Sequence, residues 1–227
     1  MKGTRWFVMR RSVAVRKYSH GRAKYVQYGC GLCAPLGWRN FDSSPTLRLQ
    51  RLPLVGVALK SSEVVFPANV ELGDVIKGLP VRTGSCQGVY CSHVLEHLAL
   101  NDFRKALGET YRILASGGIF RLVVPDLERQ VRNYLDDDSS AAAITFMRTT
   151  LLGKEDRVRS IKAFLREWLG NSHHLWMWDF KSLREELQEA GFSEIRRAEF
   201  GDSVDPKFCE VEDASRWNSC LGVECRR

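Results

Sequence analysis

Short apolar runs alternate with stretches of helical spacing along this chain. Lys24 to Tyr28 reads as a strand stopped by Gly29, and Gly37 to Asp42 as a second strand ending on an acid. Residues 43–60 are mixed, with Pro45 and Pro53 as breakers. Glu63 to Phe66 begins a third strand that Pro67 interrupts and Val70 to Asp74 carries on. Cys86 to Cys91 is a fourth, short and apolar as buried parallel strands are. Ile119 to Val124 is the clearest strand, closed by Pro125, and Glu194 to Phe200 and Leu221 to Cys225 make two late ones.

Between these runs the apolar period changes. Val94 to Leu98 and Asn101 to Leu114 look helical; in the second, Phe103, Ala106, Leu107, Thr110, Tyr111 and Leu114 share one face. Asn101 is placed to cap it, and Gly117-Gly118 follows its end. Asp126 to about Gly170 is helical, broken at Asp136-Asp137-Asp138-Ser139. Asp179 caps a helix that runs to Ala190 and stops at Gly191. Alternating strands and helices predict an α/β, doubly wound, mostly parallel sheet, with an antiparallel edge contributed by the two late strands.

Charge divides the chain. Of a net +7, eight basic residues and no acidic ones lie at or before Lys24, so the remainder is near neutral. Residues 1–23 therefore form a basic helix or arm, either a surface for phosphate or another anion or simply a solvated tail. Residues 24–227 form the main domain, with a helical insertion over 126–178. No apolar run approaches the roughly 20 residues of a bilayer span, and no signal-peptide core is present, so a cytoplasmic protein is expected. The seven cysteines are odd in number and scattered, which predicts free thiols.

A set of segments in fixed order then changes the picture: Tyr28-Gly29-Cys30-Gly31, Gly37-Trp38-Arg39-Asn40-Phe41-Asp42, Gly78-Leu79-Pro80, Ser92-His93-Val94-Leu95-Glu96-His97-Leu98, Arg112 to Gly118, Val124-Pro125-Asp126-Leu127 and Glu189-Ala190-Gly191-Phe192. Together they resemble the class I S-adenosylmethionine-dependent methyltransferases of the type 11 sort, most closely a compact bacterial subset with a Gly-Cys-Gly…Gly-Trp-x-Asn-x-Asp start. The resemblance implies a seven-stranded Rossmann-like methyltransferase fold and S-adenosylmethionine as cofactor. The residues agree with it. A glycine turn after a strand lets backbone approach a ligand closely. A carboxylate at the end of the second strand, Asp42, can accept hydrogen bonds from both ribose hydroxyls. The resemblance itself assigns Asp74 to the adenine amino group, the Val75 amide to the ring, and Ser92-His93 to the space beside the methyl donor. Tyr28, Gly29, Cys30, Gly31, Asp42, Asp74, Val75, Ser92 and His93 would thus line the cofactor cleft. His93 is the ionisable group placed nearest the reaction, as a proton acceptor or as a wall of the pocket.

Gln87 stands where the resemblance would put an Asp, and the stretch from Gly31 to Asp42 is too short for a full crossover helix, so the first helix is expected to be vestigial or the second strand very short. His93-x-x-Glu96-His97 also matches an inverted zincin motif, which would need a third ligand on a later helix; with the cofactor reading in place, no metal is expected. Cys30-x-x-Cys33 has the spacing of a redox pair. His173 to Trp178 adjoins a capped helix, and His174 and Trp176 are candidates for the acceptor side of the cleft. A helix over 154–170 carries Arg157, Arg159, Lys162 and Arg166 beside an apolar stripe, as a lid over an anionic substrate or as an ordinary solvated face. The expectation is a methyltransferase acting on an O or N nucleophile of a small-molecule or glycosylated acceptor, related to sugars or the cell surface, with no nucleic acid bound. The alternative is a non-catalytic module that binds the same cofactor or a partner.

Overall fold

The computed structural model describes residues 24–52, 65–155 and 173–227. The basic arm over 1–23, the start of the predicted third strand at Glu63-Val64 and all but the first two residues of the predicted helix at 154–170 lie outside them.

Seven strands make one sheet in the order β3-β2-β1-β4-β5-β7-β6. They are β1 (Tyr25–Tyr28), β2 (Arg39–Asp42), β3 (Val70–Leu72), β4 (Cys86–Ser92), β5 (Leu114–Pro125), β6 (Ser193–Ala198) and β7 (Cys220–Arg226). β1 to β5 pair in parallel, whereas β7 is antiparallel to both β5 and β6. The antiparallel strand therefore sits one place in from the edge, and β6 is the outermost strand on that side. The short β1–β2 connection has a double explanation. No helix lies between Tyr28 and Arg39, and β2 is only four residues long.

Five α-helices are described: α1 (Pro45–Gln50), α2 (Leu100–Ile113), α3 (Leu127–Leu135), α4 (Ala142–Thr149) and α5 (Phe180–Glu189). Pro45, expected to break structure, instead opens α1. Its missing N–H is not needed in a first turn, and the Ser44 hydroxyl accepts from the Leu47 amide. Ala99, not Asn101, precedes α2, and its side chain makes no cap; Asn101 lies within the first turn. Asp126 and Asp179 cap α3 and α5 by accepting from Arg129 and Ser182, and the acidic stretch after α3 separates it from α4 as its composition predicts. The chain between β5 and α5 leaves and returns at one place, where Asp126 and Trp178 pair in a lone parallel bridge.

The strand alternation separates two cores. Val26, Tyr28, Val89, Cys91, Phe120, Leu122 and Val124 face α2 and α5, with Phe103, Leu107, Leu183 and Leu187 packed onto them. On the other face, Trp38, Tyr90, Ile119 and Val123 are covered by Phe208 and Val211, from the irregular chain between β6 and β7. α1 covers that face near β3 through Leu47, which packs with Cys30 and Val70. Arg121 projects from β5 on the same face and is fully buried. Its guanidinium pairs with Glu212, Asp202 and Glu224, donates to the Glu199 carbonyl and lies over the Trp217 ring. This network ties the β6–β7 connection to the centre of the sheet. Among the described residues, no helix is long and apolar enough to cross a membrane.

Candidate functional site

The strand order reverses direction between β1 and β4, and in open α/β sheets ligands sit outside the carboxyl ends of the strands at such a point. Tyr28 pairs with Phe41, and Gln27 with Tyr90. This register brings the residues after β1, the last residue of β2 and the last residue of β4 to one rim.

The two glycines of the turn have different tasks. Both have positive φ, +64° at Gly29 and +54° at Gly31, a conformation that L side chains adopt reluctantly. A Cβ at Gly29 would overlap the side chain of Val94, whereas one at Gly31 would meet nothing. Gly29 lets the turn pack against the chain leaving β4. Gly31 keeps a space open in front of the backbone.

Asp42 is buried and spans the rim. One carboxylate oxygen accepts from the Gly31 amide at 3.0 Å and the other from the Ser44 amide at 2.8 Å. Each oxygen keeps a lone pair, so Asp42 shapes the turn and can still receive hydroxyl donors. Beyond it, Ser43, Arg48, Leu72, Gly73 and Asp74 line an open depression of about 360 Å³. Asp74 accepts from the Ile76 amide and lies 3.3 Å from the Lys77 ammonium. A second depression, about 340 Å³, lies on the surface of α5 and includes none of these residues.

Two members of the expected set turn their side chains into the core. The Tyr28 ring points into the core, its hydroxyl 3.1 Å from Thr110, and burial pushes its pKa well up. The Val75 side chain is likewise in the core. Cys30 is buried, and burial, with Asp42 and Cys33 adding to it, pushes its thiol up to about 12. Burial raises Cys33 too. Neither thiol has the thiolate character a redox pair needs.

At the end of β4, Arg216 donates to both the hydroxyl and the carbonyl of Ser92. His93 follows with φ +54°, a conformation uncommon for a side-chain-bearing residue and one that clusters at functional sites. Its Nε2 donates to the Arg216 carbonyl at 2.9 Å and lies 3.7 Å from the Cys220 sulfur; its Nδ1 lies 3.2 Å from Glu96 Oε1. The bonds to Cys220 and Glu96 outweigh burial and raise its pKa to about 10. As placed, both ring nitrogens face acceptors and carry protons, so the ring has no lone pair with which to take a proton.

The residues of the zincin-like motif are not on an α-helix. Leu95–His97 is a single 3-10 turn, so the one-turn helical spacing of His93 and His97 is absent. Glu96 is fully buried, and its carbonyl accepts from the Leu175 and Trp176 amides. His174 is buried against Glu96 rather than turned outward, and burial lowers its pKa. Trp176, 41% exposed, is the member of the His-Trp pair that offers a surface.

Arg216 and Cys220 thus flank His93 although sequence reasoning gave them no role, and Glu96 had appeared only within the zincin-like spacing. Arg216 had one readable sign: Asp213 ahead of Ser215 marks a capped turn, and Asp213 does accept from the Ser215 amide. Nothing local marks Cys220.

A family described as "Methyltransferase domain" matches residues 50–122, a span that holds β3, β4 and α2 and begins after the glycine turn. No curated protein matches. Similar solved structures include an S-adenosylmethionine-dependent methyltransferase from Archaeoglobus fulgidus, with 14% identity over 89% of this chain and 85% of that one and a TM-score of 0.46. Another is an S-adenosylmethionine-dependent methyltransferase from Thermotoga maritima, at 15% identity, 89% and 81% coverage and a TM-score of 0.46. A third is phosphoethanolamine N-methyltransferase 2 from Haemonchus contortus, in complex with S-adenosyl-L-methionine, at 12% identity, 89% and 48% coverage and a TM-score of 0.45. The matched segment lies in a sheet with the order and single reversed strand of the Rossmann-like methyltransferase fold. Over residues 50–122, about a third of its length, the chain is thus similar to the methyltransferase domain.

Proposed function

We propose that the chain moves a methyl group to an oxygen or nitrogen nucleophile of a small or glycosylated acceptor, of the kind found in sugar or cell-surface chemistry. The observation that carries this reading is the convergence of the Gly29–Gly31 turn, Asp42 and Ser92-His93 on one rim. Bound there, the cofactor supplies an electrophilic methyl on a sulfonium. The backbone at Gly31 would receive its amino-acid end, Asp42 its ribose hydroxyls, and Asp74 with the Val75 amide its adenine. His93 is the ionisable group beside the reacting atoms, and Trp176 offers an apolar wall to the acceptor. With both His93 nitrogens engaged, holding the nucleophile in line supplies the rate, and a base role would require the ring to leave the Arg216 carbonyl or Glu96.

Calorimetric titration with S-adenosylmethionine tests the cleft. The parent chain should bind one equivalent, and Asp42→Ala should weaken binding at least about tenfold, or about 1.4 kcal/mol. A parent chain that fails to bind the cofactor sinks the reading. Cofactor bound but never turned over against a panel of hydroxyl and amine acceptors would leave a binding module in its place.

A further inference from the structure

Three imidazoles converge on the carboxylate of Glu96. His93 Nδ1 lies 3.2 Å from its Oε1, and His97 Nε2 and His174 Nε2 each lie 4.0 Å from the same oxygen. Glu96 is completely buried, and beyond the ion pair with His93 neither of its oxygens has a hydrogen-bond partner among the described residues. Such a carboxylate is costly unless a cation or strong donors compensate it.

The neighbouring rings are set up to act as ligands. His97 Nδ1 donates to the His173 carbonyl at 3.0 Å, which fixes the proton on that nitrogen and leaves the Nε2 lone pair turned toward Glu96. A backbone acceptor on the remote nitrogen is the usual way a metal-ligating His is oriented. The candidate ligand atoms of Glu96, His97 and His174 all lie within 4.8 Å of one another. Three such atoms leave a point no more than about 2.8 Å from each, so reaching zinc bond lengths of about 2.0–2.2 Å takes less than about 1 Å of movement per side chain.

We propose that Glu96, His97 and His174 form a zinc site with an open fourth position, at the junction of the turn after β4 and the chain leading into α5. Two imidazole nitrogens and one carboxylate oxygen are a donor set suited to this cation, and three protein ligands leave room for water or another oxygen ligand. The sequence raised a zinc ion only through His93 and His97 on one helix. The fold retains Glu96 and His97, replaces the helical geometry, and brings the third ligand from 77 positions further on, His174. The ion would complete the ligation of a buried carboxylate that His93 reaches from one side only, and pin the strap that carries Trp176, which is already tied to Glu96 through two backbone hydrogen bonds. His97, with 17% of its side chain exposed, gives the ion a path from solvent.

The test is zinc titration of the chelator-stripped chain in competition with a chromophoric chelator. One equivalent should bind, and His97→Ala and His174→Ala should each weaken it about 100-fold or more, while Cys33→Ser should change it less than threefold. No uptake, equal affinity in the two His variants, or loss in Cys33→Ser would overturn the site. Cobalt(II) bound to the parent chain gives a readout that does not depend on any variant folding. The d–d bands of a nitrogen–oxygen ligand set are expected; a thiolate-to-cobalt charge-transfer band would place the ion on cysteine instead. Zinc uptake is measured without cofactor or acceptor, so its outcome is separate from that of the methyl-transfer reading.

Discussion

The two halves of the sheet are built differently. On the cleft side, β1 and β2 have four residues each and β3 has three, and their connections are a glycine turn and a helix of six residues. On the other side, β5, β7 and β6 have twelve, seven and six, and β5 carries a buried arginine bound to three carboxylates. The long half supplies stability through burial and charge pairing. The short half gives up paired backbone to place glycine, aspartate and histidine at a rim. Stability and ligand binding should therefore respond separately to substitutions in the two halves.

The largest expected effect is in the long half. Arg121→Ala leaves Glu212 buried without its cation and Glu224 with Arg196 alone, and unfolding by denaturant should show a loss of about 3–5 kcal/mol. A loss below about 1 kcal/mol would mean that the network does not hold the β6–β7 connection. Next come the two glycines. Gly29→Ala combines positive-φ strain with overlap on Val94, and should cost about 2–4 kcal/mol, part of it recovered when Val94→Ala is added. Gly31→Ala should cost only about 1 kcal/mol yet weaken cofactor binding at least about tenfold. Equal effects of the two substitutions on stability would erase the distinction between them.

A smaller effect concerns acid. Burial would raise the Asp202 carboxyl, but hydrogen bonds from Arg196 and Arg121 and from the backbone lower it to about 2. A carboxylate depressed in the folded state stabilises above its ordinary range, and the contribution is lost as pH falls toward 2. The stability gap between the parent and Asp202→Asn should therefore narrow between about pH 5 and pH 2, and a constant gap would assign the carboxylate no net role. The smallest effect is chemical. Cys30, raised to about 12, should resist alkylation at neutral pH until the chain unfolds, with exposed Cys209 labelled first. Rapid labelling of Cys30 in the folded chain would revive the redox reading.

The segments Tyr28–Gly31, Gly37–Asp42, Ser92–Leu98 and Val124–Leu127 lie where strands end, and strand ends are marked by glycine, proline and acid. The same local signals placed the cap at Asp179, the start of the helical stretch at Asp126 and the break after α3. They failed where tertiary contact decides. Asn101 is a good cap in isolation, but the chain enters α2 at Ala99. His174 read as a pocket residue because its neighbours are aromatic, and its burial against Glu96 depends on a turn 78 positions earlier. Arg216 and Cys220 reach His93 from 123 and 127 positions away, a separation that no local pattern encodes.

That separation bears on how the protein assembles. Tyr25 donates to Asp205, 180 positions on, and Arg216 closes on Ser92 across 124. The face of the sheet that carries Trp38 and Tyr90 waits for Phe208 and Val211, made long after β4 in chain order. Until then Trp38 and Tyr90 stay uncovered, and the rim lacks the arginine that steadies its last strand residue. Cofactor capture should wait for these contacts and folding should be slow, because the decisive contacts join segments far apart along the described chain.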